Sequence, residues 1–130
     1  MYRLQIHPDA EEDLNTLLRD EPKAAYRIAA LLQELEADQG LLDRLTQHKY
    51  GTNHEADFEV SKWFAFWNSG KDIWRVKIWD LESEGLPYRV IYSYSPGLQI
   101  YTVLGITHRS FNYEKNHPIT IRINLAYESL

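Results

Sequence analysis

The chain lacks cysteine among its 130 residues, which excludes disulfide bonds and thiolate chemistry. It has no apolar run near the roughly 18–20 residues that a membrane-spanning helix requires. It also has no glycine-rich phosphate loop and no G-x-S-x-G nucleophile motif. Residues 1–6 are too few and too polar for a secretory signal peptide, so we expect a cytoplasmic protein with no membrane partner.

An excess of positive charge is also missing, since the net charge at neutral pH is −5. The imbalance lies in the first part of the chain, where residues 1–57 hold 6 Lys and Arg against 12 Asp and Glu. Residues 58–130 hold 8 Lys and Arg against 7 Asp and Glu. Nucleic-acid-binding proteins usually have a basic surface, so any phosphate-binding surface is expected in residues 58–130.

Hydrophobic periodicity predicts two helices near the N-terminus. Tyr2–Ile6 alternates in the manner of a short strand, and leucines at helical spacing predict a first helix over Ala10–Arg19. Pro22 suits the first turn of a second helix, which we expect to end near Gly40. The connection between them is short, and this predicts a helical hairpin.

The second half is rich in strand-forming residues separated by turn signals. The predicted strands are Phe58–Trp67, Ile73–Trp79, Tyr88–Tyr94 and Gln99–Ile106, with a loop over Asp80–Pro87. The tail from Pro118 fits a strand or a helix, and its Ala-Tyr-Glu-Ser-Leu end favours a helix. We therefore predict one α+β domain over residues 1–130. It has a helical hairpin on one face of a four- to five-stranded antiparallel sheet and a helical C-terminal extension over 114–130.

Strand alternation sorts basic and apolar side chains onto opposite faces. Arg75 and Lys77 point away from Trp74, Val76 and Ile78. Arg89, on the next strand, likewise points away from an apolar set. A cluster of these three cations on the free sheet face has the form of a phosphate site. The alternative is a solvated basic face whose cations pair with Asp80, Glu82 or Glu84.

Other candidate residues flank these strands. His108, Arg109 and Tyr113 follow the last strand, where they are suited to proton transfer, charge stabilisation or base stacking. Lys62, Lys71 and Trp79 are candidate nucleic-acid-binding residues, although the aromatic run that includes Trp79 is also consistent with core packing. No strong metal-ligand spacing is present, so neither a metal nor another cofactor is expected.

The motifs W-R-V-K, Y-R-V-I-Y and V-L-G-x-x-H-R-x-x-x-Y, placed after two helices, resemble the RelE/ParE superfamily of bacterial type II toxin–antitoxin toxins. The resemblance covers roughly residues 1–114. It implies a helical hairpin packed on a small antiparallel sheet. It also implies a cognate antitoxin as the partner.

RelE-type members are ribosome-dependent mRNA endonucleases that inhibit translation without a metal. The resemblance implies that the message's own 2′-OH attacks the neighbouring phosphorus, which leaves a 2′,3′-cyclic phosphate. Arg75, Lys77 and Arg89 match the basic positions of that family, and Tyr113 matches its late tyrosine. The basic position after the last strand falls at His108 or Arg109, and a strict alignment on Gly105 places Thr107 there instead.

The resemblance leaves the activity open between classes. The leading hypothesis is an endoribonuclease that acts on mRNA at the ribosome. ParE-type members of the superfamily instead inhibit DNA gyrase, which makes gyrase the alternative partner. A third reading is a non-toxic protein-interaction module on the same fold.

Overall fold

The computed structural model describes residues 1–130 as an α+β fold around a five-stranded sheet. The strands are β1 (Arg3–Ile6), β2 (Phe58–Lys62), β3 (Ile73–Ile78), β4 (Tyr88–Ser95) and β5 (Ile100–His108). The helices are α1 (Pro8–Asp20), α2 (Pro22–Glu36), α3 (Gln39–Arg44), α4 (Phe64–Trp67), α5 (Trp79–Ser83) and α6 (Pro118–Glu128). A short 3₁₀ turn, Arg109–Phe111, follows β5. None of the helices has the length and apolarity needed to cross a bilayer.

The predicted helical hairpin is present as α1 and α2. Helix α1 begins at Pro8, two residues before the predicted start, because proline's fixed φ suits the first helical position. The Nδ1 atom of His7 accepts a hydrogen bond from the backbone N–H of Asp9 and caps this helix. Helix α2 begins at Pro22, as predicted, and buries one apolar stripe that includes Ile28 and Leu31.

The sheet is mixed, so the prediction of an antiparallel sheet was wrong for one strand. The strand order is β1-β5-β4-β3-β2, with β2 to β5 antiparallel and β1 parallel to β5. After β1 the chain passes through the helical hairpin and enters the sheet at the far edge. The meander then returns β5 to the side of β1 in the same direction. Sequence periodicity carries no signal for this pairing.

Helices cover both faces of the sheet, and not one face as predicted. Trp74, Val76 and Tyr92 pack against α1 and α2 in the larger core. On the opposite face α6 packs its Ile123 over a second core that includes Ile91. Helix α6 covers only one half of this face, and the half that carries Arg75, Lys77 and Arg89 is left open. The predicted helical C-terminal segment is confirmed.

Two segments differ locally from the prediction. The predicted strand Phe58–Trp67 ends at Lys62, and α4 follows as a single helical turn. A helical turn puts Trp63 and Phe66 on one side, where both are buried, whereas strand alternation would separate them. The predicted strand Ile73–Trp79 ends at Ile78. Helix α5 takes up Trp79 and the first part of the predicted loop Asp80–Pro87, because burying Leu81 stabilises a helical turn there.

An ion pair links α1 to α6. It lies beside the C-terminal part of β5, beyond the residues that pair with β1. The Asp13 carboxylate accepts the backbone N–H of Ile106 at 3.0 Å, together with two hydrogen bonds from Arg122 at 2.8 and 2.6 Å. These hydrogen bonds raise the pKa of Arg122. A Cβ atom at Gly105 would lie 3.0 Å from an Arg122 terminal nitrogen, so glycine allows this close approach.

Candidate functional site

A cavity of about 280 Å³ opens on the uncovered half of the sheet, beside the turn after β5. Its lining residues come from three strands and this turn: Glu59, Ser61, Arg75, Lys77, Arg89, Arg109, Asn112 and Tyr113. Five of the six side chains that the sequence suggested as catalytic therefore surround one cavity, and His108 is not among them. Four cations and one carboxylate line it, which makes it a local basic surface on an acidic chain.

Strand register explains why three of the cations converge. Lys77 lies directly opposite Arg89 in the β3–β4 pair, and Arg75 precedes Lys77 by two residues on the same face. The neighbouring edge strand adds two polar side chains, since Ser61 pairs with Arg75 and Glu59 pairs with Lys77. The sheet thus places its basic residues in adjacent positions and supports them with polar groups from β2.

Two carboxylates offset the repulsion between neighbouring cations. Like charges directly opposite in a sheet are destabilising, which applies to Lys77 and Arg89. The Lys77 ammonium lies 3.3 Å from a carboxylate oxygen of Glu59. Arg89 is only 8% exposed and forms an ion pair with Glu82 of α5. A buried guanidinium without a partner is costly, so Glu82 is needed to hold Arg89 in place.

Two arginines retain free donors toward the cavity. Arg75 donates from Nε to the Ser61 hydroxyl at 2.8 Å, and its guanidinium carbon lies 4.5 Å from the centroid of the Tyr113 ring. Its terminal nitrogens form no hydrogen bond or ion pair within the chain. Arg109 is exposed and its side chain forms none either. Guanidinium donors of this kind match the oxygen spacing of a phosphate.

Backbone conformation after the 3₁₀ turn brings Tyr113 back over the sheet. Asn112 and Tyr113 have φ values of 58° and 55°, so two consecutive non-glycine residues occupy the left-handed region. Such positions each cost about 1–3 kcal/mol and persist only when surrounding contacts hold them. Phe111 is buried and packs on the Tyr113 ring at 4.9 Å. The Tyr113 hydroxyl is buried without a hydrogen-bond partner.

His108 lies outside the cavity, although it is adjacent in sequence to Arg109. Its Nδ1 atom accepts the backbone N–H of Ser110 at 3.0 Å and caps the 3₁₀ turn, while its ring packs on Tyr88 at 5.1 Å. Thr107 lies opposite Arg89 in the sheet but is buried, and its hydroxyl has no partner. Of the three residues that alternative alignments placed at the basic position, Arg109 is the one on the cavity wall.

The three residues suggested for nucleic-acid binding lie in different surroundings. The Lys62 ammonium lies 4.1 Å from the centroid of the Trp67 ring. Lys71 forms an ion pair with Glu128 and a hydrogen bond with Asn124 of α6, so it serves to hold that helix. Trp79 is not on the cavity wall but lies next to it, since the Lys77 ammonium of the wall is 4.7 Å from its ring centroid.

The pKa of His48 is sensitive to the charges near the basic residues of β2 and β3. Its pKa is lowered from its ordinary value, chiefly because burial disfavours the charged ring. The nearby cations Lys62, Lys49 and Arg75 lower it further, and Glu59 opposes them. A histidine beside the basic cavity therefore experiences a net positive surrounding.

Sequence reasoning missed Glu59, Ser61 and Asn112 on the cavity wall. The signal for the first two was present, because they alternate on a predicted strand just as Arg75 and Lys77 do. Asn112 had no such signal, since only the fold of the turn after β5 directs it to the cavity. Glu82 was proposed only as an ion partner in the alternative reading, and for Arg89 that pairing is what the structure contains.

Comparison of the chain with protein-family models, curated proteins and solved structures found no match. The site must therefore be interpreted from its own geometry. No group of three or more histidine and carboxylate side chains is arranged to hold a metal ion.

Proposed function

We propose that this chain is the toxin of a type II toxin–antitoxin module and that it cleaves mRNA at the ribosome without a metal ion. The observation that carries the proposal is the gathering of Arg75, Lys77, Arg89 and Arg109 around one open cavity beside Tyr113. A helical hairpin followed by a strand meander, with the basic residues on W-R-V-K and Y-R-V-I-Y, supports a RelE-type assignment. The cavity is suited to one phosphodiester group and its flanking sugars.

The proposed reaction is an internal transesterification. The 2′-oxygen of the substrate attacks the adjacent phosphorus while its proton passes to a base. The bond from phosphorus to the 5′-oxygen breaks, and that oxygen takes a proton from solvent water, so that it leaves as a hydroxyl. The products are a 2′,3′-cyclic phosphate and a 5′-hydroxyl end, and no outside nucleophile is consumed.

The cavity residues divide these tasks according to their free atoms. Arg75 and Arg109 have unpaired guanidinium donors, so they bind the non-bridging oxygens as negative charge grows in the transition state. Lys77 adds a point charge. Glu59 is the one carboxylate on the cavity wall, and we assign it the proton of the 2′-hydroxyl. Arg89 is held by its ion pair with Glu82, and we assign it a supporting electrostatic role at the site.

Arg109 offers a sharper test than Arg89, whose loss would leave Glu82 without its partner and risk unfolding. We expect Arg109→Ala to abolish growth arrest on induced expression in bacteria. The matched control is His108→Asn, which retains a capping side chain next to Arg109 but lies outside the cavity. Both proteins should unfold at the temperature of the wild type, which circular dichroism would verify.

Mapping mRNA 5′ ends after induction distinguishes the activities. New ends within translated codons, absent in the Arg109→Ala strain and present with His108→Asn, are expected. Intact mRNA with an induced DNA-damage response would replace the proposal with gyrase inhibition. Harmless expression of the wild type, in cells without an antitoxin, would instead favour a non-toxic interaction module.

A further inference from the structure

Trp79 has an unusual neighbour at the border of the cavity. The imidazole of His54 stacks on its ring at 3.9 Å between centroids, with an angle of 20° between the two planes. This is the parallel geometry in which a nucleobase stacks on an aromatic side chain. A planar ring of the protein's own loop therefore covers the tryptophan where a ligand ring would fit.

Apart from this stack, the His54 side chain makes no polar contact that would hold it on Trp79. It is exposed and forms no hydrogen bond or ion pair, and its backbone φ of 60° is in the region that non-glycine residues rarely adopt. Other groups hold the loop between α3 and β2, which carries His54. Glu55 accepts the backbone N–H groups of Gly51 and Asn53 at 2.8 and 2.9 Å, and the Trp79 indole N–H donates to the carbonyl of Gly51 at 2.9 Å. The stack can therefore open without loss of the loop.

Lys77 connects this stack to the proposed reaction site. Its ammonium lies 4.7 Å from the centroid of Trp79 and 3.3 Å from Glu59, and Lys77 lines the cavity. A phosphate bound at Lys77 thus lies next to the indole, and the sugar of a nucleotide spans the distance between a phosphate and a stacked base. The Tyr113 ring also lies beside a cavity cation, Arg75, but Trp79 is the ring on which a planar side chain already stacks in parallel.

We propose that the Trp79 ring is the stacking site for a nucleobase next to the phosphate in the cavity, and that His54 is a cover which this base displaces. The inference rests on the proposed function, since it assigns the substrate class as single-stranded RNA with an unpaired base. Stacking is tolerant of base identity, so the subsite contributes affinity and orientation more than sequence choice.

The test compares two probes on the purified protein, adenosine 3′-monophosphate and inorganic phosphate, by titration calorimetry. We expect Trp79→Leu to weaken nucleotide binding about tenfold, as loss of one base stack does, and to leave phosphate binding unchanged. Trp79→Phe loses the indole N–H donor to Gly51 just as the leucine variant does, but it retains an aromatic face and should remain close to the wild type. His54→Gly removes the cover and relieves the positive φ, so it should tighten nucleotide binding several-fold with no change for phosphate.

Equal effects of these substitutions on both probes, or none on either, would overturn the inference. Thermal unfolding of each variant identifies a loss of fold, and Trp79→Phe with His54→Gly still test the stack if Trp79→Leu does not fold. The outcome is separable from the proposed function. If the protein cleaves mRNA but Trp79→Leu does not selectively weaken the binding of adenosine 3′-monophosphate, the stacking site alone is rejected. If that selective weakening is found but mRNA is not cleaved, the endonuclease activity alone is rejected.

Discussion

The guanidinium of Arg75 lies over the ring of Tyr113, with its central carbon 4.5 Å from the ring centroid, while the hydroxyl of that tyrosine is buried without a partner. The two residues are far apart in sequence and meet because the chain reverses through left-handed positions after the 3₁₀ turn. The contact leaves the terminal nitrogens of Arg75 free. It therefore assigns Tyr113 the task of orienting a cation, through its ring and not through its hydroxyl.

Tyr113→Phe should retain RNA cleavage, because it preserves the ring under Arg75 and removes only an unpaired hydroxyl. Tyr113→Leu should lower it about tenfold, in line with the 0.5–2 kcal/mol of a cation–π contact. The measurement is the cleavage rate of translated mRNA in a purified translation system. An equal loss in the phenylalanine variant would show that the hydroxyl takes part in proton transfer.

Glu59→Gln separates binding from chemistry. The variant frees Lys77 from its ion pair, so phosphate affinity should rise roughly two- to fivefold, within the 0–1 kcal/mol typical of such partly exposed pairs. Cleavage should fall nonetheless, because an amide cannot accept the 2′-hydroxyl proton. Calorimetry with phosphate and a cleavage assay measure the two effects. Cleavage at the wild-type rate would remove Glu59 from the mechanism.

Acidification should destabilise the fold through His48. Its folded-state pKa is below the ordinary value of about 6.5, so the neutral ring stabilises the fold above that pH. The contribution is lost as the pH falls towards the folded-state pKa, because the unfolded chain binds the proton more readily. Urea midpoints at about pH 7.5 and about pH 5.5 should therefore differ more in the wild type than in His48→Gln, which keeps an acceptor for the Lys62 backbone N–H.

The same histidine provides a probe of anion binding. A phosphate that binds Arg75 offsets part of the positive charge that lowers the His48 pKa, so saturation with phosphate should raise that pKa. NMR titration of the His48 ring with and without phosphate measures the change. A pKa of His48 that phosphate leaves unmoved would contradict an anion site at Arg75.

The ion pair between Asp13 and Arg122 should matter for stability and not for binding. Asp13→Ala removes three hydrogen bonds in a partly buried position, so we expect a loss of about 2–3 kcal/mol in the free energy of unfolding. Glu12→Ala, on the same helix and exposed, should change it by less than about 0.5 kcal/mol. Urea unfolding measures both, and phosphate affinity should remain unchanged in each folded protein.

Much of the molecule was already encoded in local pattern. Helical spacing of leucine and alanine predicted the hairpin, and strand alternation separated Arg75 and Lys77 from Trp74, Val76 and Ile78. These predictions succeeded because a period of 3.6 or 2 residues is a property of the backbone that any buried face must follow. Even the helical tail could be predicted, since its last residues are poor strand formers.

Local sequence patterns could not predict which distant segments of the chain pack against each other. The parallel pairing of β1 with β5, the position of α6 on the second face and the strained return of Tyr113 depend on contacts between distant segments. So does the choice between His108 and Arg109, because a turn after β5 directs one to the cavity and the other to Tyr88. The sequence by itself determined which residues could share a face. Only the tertiary structure decided which half of that face carries the cavity, because α6 packs on the apolar half and does not cover the half with the basic residues.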